Sequence, residues 1–266
     1  MSDFDRNSAA ARWGRTTADR AGTAVIDQGL RAYMLRIYNY MALALAITGF
    51  AALGTFMLAT TADPSLAVAK LSNGVMLTSF GQAVFISPLK WVLMLLPIGF
   101  VFLFGFKVDS MQPSTAQVVF WVFAALMGVS LGSIFLVYTQ TSIVRVFFIT
   151  SVAFGALSLW GYTTQRDISG WGSFLFMGLI GIVLAGLVNI FLKSSAMQFV
   201  IACVGVLVFA GLTAWDTQRL KTEYIYGSSS MDGATVEKSA IMGALSLYLN
   251  FINIFVMLLQ LLGDRR

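Results

Sequence analysis

The chain of 266 residues is 58% hydrophobic and only 11% charged, whereas roughly 25% of the residues in water-soluble domains carry a charge. Histidine is absent and Cys203 is the one cysteine, which excludes disulfides, thiolate or imidazole metal sites and His-based catalytic triads. The net charge of +5 lies mostly outside the apolar runs, so we interpret it as a signal of membrane topology and lipid headgroup contact, and we expect no nucleic-acid binding.

Residues 1–30 are polar and contain no apolar segment or cleavage site typical of a signal peptide. We interpret residues 1–30 as a polar N-terminal tail, either solvated or lying in the membrane interface; a lipid-binding amphipathic segment is the alternative. Residues 31–266 are interpreted as one membrane domain.

Seven apolar runs follow, and none alternates in the manner of barrel strands. A lipid-exposed backbone must satisfy its own hydrogen bonds, so the predicted fold class is an all-α integral membrane protein, a seven-transmembrane-helix bundle. Two connections are longer than the others: residues 60–87, which are half apolar, and residues 221–238, which are polar. The predicted spans are 34–59, 88–106, 116–138, 146–162, 171–192, 198–218 and 240–262.

The distribution of basic residues predicts the orientation, because Lys and Arg concentrate on the cytoplasmic side. Given the predicted spans, 11 Lys and Arg residues fall on the side of the N-terminus and 6 fall on the other side. The N-terminus is therefore predicted to lie in the cytoplasm and the C-terminus outside.

The seventh predicted span carries a stripe of small or polar residues at intervals of three and four, while its other faces are apolar. This pattern predicts a helix surrounded by other helices. Two interpretations remain open: the amides are hydrogen bonds between helices, or the stripe faces a cavity or an ion path. The stripe consists of Ser239, Gly243, Ser246, Asn250, Asn253 and Gln260, with Met257 at the remaining position.

Asp216 lies near the end of the sixth predicted span, in the sequence GLTAWDTQRLK. A charge inside a span costs up to about 2.5–3.5 kcal/mol. Either Arg219, three residues later, forms a local ion pair with it, or Asp216 is a functional carboxylate on a water-filled path facing the asparagines of the stripe.

Five segments together resemble the Bax inhibitor family, in its bacterial branch. They are RIYNYMALALAITG, SPLKWVLMLLP, TTQRDISGWGSFLFMGLIG, GLTAWDTQRLK and LYLNFINIFVMLLQLLG, and they cover most of residues 31–263. The resemblance implies a bundle with the last helix at its centre, located in the bacterial cytoplasmic (inner) membrane. It also implies a calcium-leak channel whose gate senses pH through two aspartates, and a role in suppressing stress-induced cell death.

Asp216 matches the first of those aspartates, but Asn250 stands where the family's motif reads LYLDFIN. Two nearby carboxylates cannot both ionise cheaply, whereas an aspartate beside an asparagine has no such repulsion. We therefore predict a gate at Asp216 and Asn250, supported by Arg219, Asn253 and Ser246, whose pH response is weakened or lost.

The resemblance leaves a non-conducting alternative, because bacterial relatives associate with a membrane-bound AAA protease that this chain would regulate by contact. An enzyme is not expected: intramembrane aspartyl proteolysis needs two aspartates, and Asp216 is the only one within a predicted span. No cofactor is expected, and calcium enters as the transported ion. One carboxylate and two amides fall short of the 6 to 8 oxygens of a tight calcium site, which suits a leak that must release its ion.

Overall fold

The computed structural model describes residues 3–71, 74–227 and 232–266, with side chains from Gln28 onward except at positions 94, 98, 103 and 109. The predicted tail therefore falls largely outside the described side chains, although its backbone from Asp3 belongs to the first helix. The helices are α1 (Asp3–Ala59), α2 (Ser79–Phe85), α3 (Leu89–Lys107), α4 (Pro113–Leu131), α5 (Ile134–Val137), α6 (Gln140–Thr163), α7 (Trp171–Leu192), α8 (Ser195–Gly227) and α9 (Gly233–Leu262).

Seven helical segments in the described part are long and apolar enough to cross a membrane, so the chain is a multi-pass membrane protein, as predicted. The fifth predicted span matches α7 at both ends. Four spans were predicted clearly too short: the membrane span within α1 already begins at Gln28, α6 runs over Gln140–Thr163, α8 continues to Gly227, and α9 begins at Gly233. Most of the predicted polar loop 221–238 is consequently helical, while residues 228–231 lie outside the described part.

The connection over residues 60–87 is folded. Three two-residue strands, β1 (Thr60–Thr61), β2 (Ala69–Lys70) and β3 (Met76–Leu77), form an antiparallel sheet with β3 in the middle. Helix α2 follows, and its N-terminus is capped by Thr78, whose hydroxyl accepts a hydrogen bond from the Gly81 N–H.

Helix α9 occupies the centre of the bundle, as predicted. Half of the residues in its most apolar stretch are buried, against a third or less in each of the other six spans. It packs mainly on α1, α4, α6 and α8, whereas α3 packs on α4 and α7 packs on α8 at the periphery.

Hydrogen bonds fix the centre of the bundle and the end of α9. The buried hydroxyl of Tyr248 lies 2.7 Å from Thr48 Oγ1, which also lies 2.9 Å from the carbonyl oxygen of Ala124, so α9, α1 and α4 meet at one point. Beyond α9, the Thr139 N–H donates to the Asp264 carbonyl and the Arg266 N–H donates to the Val137 carbonyl, at 3.0 and 2.9 Å. The last residues are therefore attached to the junction between α5 and α6.

Candidate functional site

Asp216 is buried between α8 and α9, with 4% of its surface exposed. Its Oδ2 accepts hydrogen bonds from Ser246 Oγ at 2.8 Å and from Asn250 Nδ2 at 2.7 Å. Its Oδ1 lies 2.8 Å from Arg219 Nη2. The structure thus brings Asp216, Asn250, Ser246 and Arg219 together. Both carboxylate oxygens of Asp216 have partners.

The side chain of Arg219 links the buried acid to more exposed groups. It is 39% exposed, and its guanidinium lies 4.8 Å from the centre of the Trp215 ring and within 3.6 Å of a Glu223 carboxylate oxygen. An isolated ionised carboxylate in a span costs about 2.5–3.5 kcal/mol. The guanidinium and the two hydrogen-bond donors of α9 offset that cost, because they provide a counter-charge and satisfy the oxygens that water would otherwise solvate.

The stripe on α9 faces α8 over most of its length. Ser246 and Asn250 reach Asp216, and a side chain at Gly243 would collide with Leu220, whose Cδ2 lies 2.7 Å from the position of a Cβ there. Asn253 donates through Nδ2 to the Leu249 carbonyl of its own helix at 2.8 Å and does not contact Asp216. Ser246 and Asn250 therefore form hydrogen bonds between helices, and the stripe also lines a cavity; its use as an ion path stays a prediction.

That cavity, which we call the Asp216 cavity, has a volume of about 810 Å³. Its walls come from α3, α7, α8 and α9, and most of its lining residues are apolar. The polar lining residues are Ser169, Ser173, Asp216, Arg219, Ser246, Asn250 and Asn253. All five predicted site residues are among them, so the carboxylate that lines this cavity is surrounded by hydroxyl and amide groups.

A second cavity of about 560 Å³, the vestibule, lies between the α6–α7 loop and the last turns of α8. Its walls include the charged side chains of Arg166, Asp167, Lys221 and Glu223. The two cavities share Ser169, Trp215 and Arg219 as lining residues. We call these three residues the partition, because they line both the polar vestibule and the cavity that contains Asp216.

The α6–α7 loop is held on α8 by side chains of the same sequence motif that carries Asp216. Trp215 Nε1 donates to the Ser169 carbonyl at 3.2 Å. Gln218 accepts from the Ile168 N–H at 2.9 Å and donates to the Arg166 carbonyl at 2.7 Å. Sequence reasoning missed these residues; their position beside Asp216 in one short polar segment was the available signal.

Asp167 is one of two acidic lining residues of the vestibule, beside Glu223, and the basic ones are Arg166, Arg219 and Lys221. The backbone N–H and the hydroxyl of Ser169 donate to its carboxylate and hold the pKa of Asp167 below the ordinary value of 3.8. It is therefore ionised throughout the physiological range, and it offers an approaching cation a fully solvated carboxylate.

No group of three or more Cys, Asp and Glu side chains that could hold a metal ion occurs among the described residues. Asp216 with neighbouring amide and hydroxyl groups provides fewer than the 6 to 8 oxygen ligands of a tight calcium site.

The chain is similar to a known protein family and to several bacterial proteins along most of its length. Residues 30–266 match the family described as Inhibitor of apoptosis-promoting Bax1. An uncharacterized protein of Rickettsia prowazekii is 44% identical over 252 residues, 95% of this chain and 98% of its own length. A protein of Caulobacter vibrioides is 42% identical over the whole of both chains, and the inner membrane protein YbhL of Escherichia coli is 41% identical over 90% of this chain and 94% of its own length. Because the match extends over the whole described membrane domain, the chain belongs to the Bax inhibitor family.

Proposed function

We propose that the chain is an ion-leak channel of the bacterial cytoplasmic membrane, that calcium is the ion, and that the gate lies between α8 and α9. The observation that carries the proposal is the position of Asp216: a buried, ion-paired carboxylate lining a cavity that shares three lining residues with a charged vestibule. Intramembrane acids of this kind are typical of ion pathways.

In the proposed channel, the partition closes the path between the vestibule and Asp216. Arg219 occupies the position in which a cation would meet Asp216 Oδ1, and it stacks on Trp215, which closes the same wall. Glu223 already lies 3.6 Å from Arg219 Nε, so a rotation of the guanidinium toward Glu223 exchanges one carboxylate partner for another. That rotation would expose Asp216 to a cation from the vestibule.

The orientation predicted from the basic residues completes the proposal. With the N-terminus in the cytoplasm, the vestibule opens to the cytoplasm, because it is built from the α6–α7 loop and the end of α8. The inner-membrane location is supported by the name of the Escherichia coli relative.

Calcium flux into liposomes containing the purified protein tests the role of Asp216. Asp216→Asn keeps the shape and removes the charge, so we expect calcium flux to fall strongly. The matched control is Asp264→Asn, because Asp264 is exposed and its side chain makes a 3.7 Å contact with the exposed Arg145. Equal flux in the Asp216 variant and the wild type would contradict the channel proposal and favour the non-conducting regulator that binds a membrane-bound AAA protease.

The same assay at about pH 6 and pH 8 tests the role of Asn250. Its Nδ2 donates to Asp216 at 2.7 Å, so Asn250→Asp would place two carboxylates in direct contact. Because close carboxylates share a proton, we expect this variant to gain a pH-dependent flux that the wild type lacks. Identical pH responses in the two proteins would refute this role for Asn250.

A further inference from the structure

A separate groove runs between α1 and α6 at the end of the bundle where Arg31 lies. Its volume is about 480 Å³, and it shares no lining residue with the Asp216 cavity or the vestibule. Most of its walls are apolar, with contributions from Met34, Leu35, Met41, Phe154 and Leu159. We call it the α1–α6 groove.

The length of the groove corresponds to one leaflet of a bilayer. On α1 its lining extends from Arg31 to Ala42, and at 1.5 Å per residue these 11 steps span about 16 Å. Half of a hydrocarbon core is roughly 15 Å thick. The groove therefore begins at the expected depth of the headgroups and ends near the middle of the membrane.

Along the groove, a charged group, a pair of hydroxyl groups and an apolar stretch follow one another, in the same order as the phosphate, glycerol ester and acyl regions of a phospholipid. The exposed guanidinium of Arg31 stands at its mouth, where Tyr162 also lines the groove. The backbone of Tyr38 lies about 10 Å further along α1 than that of Arg31, and the Tyr38 hydroxyl lies 2.5 Å from Ser158 Oγ. Below this hydroxyl pair only apolar side chains follow among the lining residues.

We propose that the α1–α6 groove binds one anionic phospholipid from the leaflet at the Arg31 end. Its phosphate lies at Arg31, because a guanidinium matches the geometry of phosphate oxygens. Its glycerol ester region lies near Tyr38, and one acyl chain occupies the apolar part against Met41 and Phe154. The positive charge at the mouth selects an anionic headgroup over a zwitterionic one.

Gly155 keeps the groove open on the side of α6. A Cβ placed there would have no atom within 4 Å, although Gly155 lies on the wall. Gly155→Leu should therefore fill the groove without disturbing the packing of α6. A Cβ at Gly186 of α7 would also meet no atom within 4 Å, and Gly186 lies outside the groove, so Gly186→Leu is the matched control.

Lipid retention measured by native mass spectrometry tests the proposal. The full-length protein in detergent is supplied with equal amounts of phosphatidylglycerol and phosphatidylcholine. We expect one phosphatidylglycerol to be retained about fivefold more than phosphatidylcholine, the preference that one basic residue near an anionic lipid provides. Arg31→Gln should abolish this preference, whereas Arg36→Gln, an exposed basic residue outside the groove, should leave it unchanged.

Gly155→Leu should lower retention of the first lipid of either kind, and Gly186→Leu should not. Equal retention of the two lipids by the wild type, or unchanged retention in either Arg31→Gln or Gly155→Leu, would overturn the proposal. Arg31 is exposed, so its replacement leaves the folded core intact and keeps the test decisive even if the leucine variant is unstable. Because the readout is lipid binding, its outcome is independent of whether the chain conducts ions.

Discussion

The contact between Gly161 of α6 and Ala214 of α8 allows a quantitative test of how closely these two helices pack. A Cβ at Gly161 would lie 3.0 Å from both the carbonyl carbon and the Cα of Ala214, and closer still to the carbonyl oxygen. These are backbone atoms of a helix, so no side-chain rotation relieves the overlap. Gly161→Ala must therefore push α6 and α8 apart.

Overpacking of this kind costs about 1–3 kcal/mol, and the higher helix propensity of alanine returns up to about 1 kcal/mol. Because backbone atoms cannot rotate away, we expect the upper part of the first range and a net loss of about 2 kcal/mol, which corresponds to a decrease in Tm of about 4–8 °C for a chain of this size. Gly155→Ala is the matched control on the same helix, because a Cβ there meets no atom within 4 Å. We expect its Tm to be equal to or above that of the wild type.

Thermal unfolding in detergent, followed by the fluorescence of the six tryptophans, measures both variants. If Gly161→Ala and Gly155→Ala unfold at the same temperature, the close approach of α6 to α8 is wrong. Ala214 lies two residues before Asp216, so the same displacement should also alter calcium flux in the Gly161 variant.

Three further outcomes are expected. Arg219→Gln removes the charged member of the partition, so calcium flux should rise; a flux equal to that of the wild type would show that Arg219 is not a barrier. Gln218→Leu removes two hydrogen bonds from the α6–α7 loop, each worth about 1 kcal/mol, so the Ile168 amide should exchange hydrogen faster, and unchanged protection would contradict the anchoring role. The hydroxyl and backbone N–H of Thr235 hold the pKa of Asp232, the N-cap of α9, below 3.8; its stabilising effect is thus complete above the pKa of the unfolded chain and lost as the pH falls through the lower folded value. Asp232→Ala should therefore lower Tm at neutral pH, with a difference from the wild type that shrinks under acid conditions, and a constant difference would argue against the cap.

The parts of the fold that depend on periodicity were predictable. The stripe on α9 has a spacing that only a surrounded helix explains, and α9 is central. Hydropathy located all seven spans, but it failed where helices leave the membrane: α8 continues to Gly227 through a polar segment whose helical backbone carries no apolar signal. The small sheet after α1 consists of two-residue strands, too short for any alternation to appear.

The candidate site was predictable only in its buried half. Asp216 stood out because an acid in an apolar run is costly, and the spacing of Ser246 and Asn250 placed them on one face of the next helix. The partition and the vestibule depend on how the α6–α7 loop folds over Trp215 and Gln218. Contacts between a loop and a distant helix leave no periodic pattern, so the sequence indicated them only through the polar residues that flank Asp216.

The attachment of the chain end to the α5–α6 junction limits which movements can open a pathway. Sliding of α9 along its axis would break the backbone hydrogen bonds between residues 137–139 and 264–266, and it would also drag Tyr248 away from Thr48. We therefore expect α9 to keep its position when other helices move. Rearrangement falls to the thinly packed periphery, which consists of α3 on α4 and of α7 on α8. In the proposed channel, a molecule bound between α7 and α8 would therefore alter ion flux by displacing α7, while α9 stays in place.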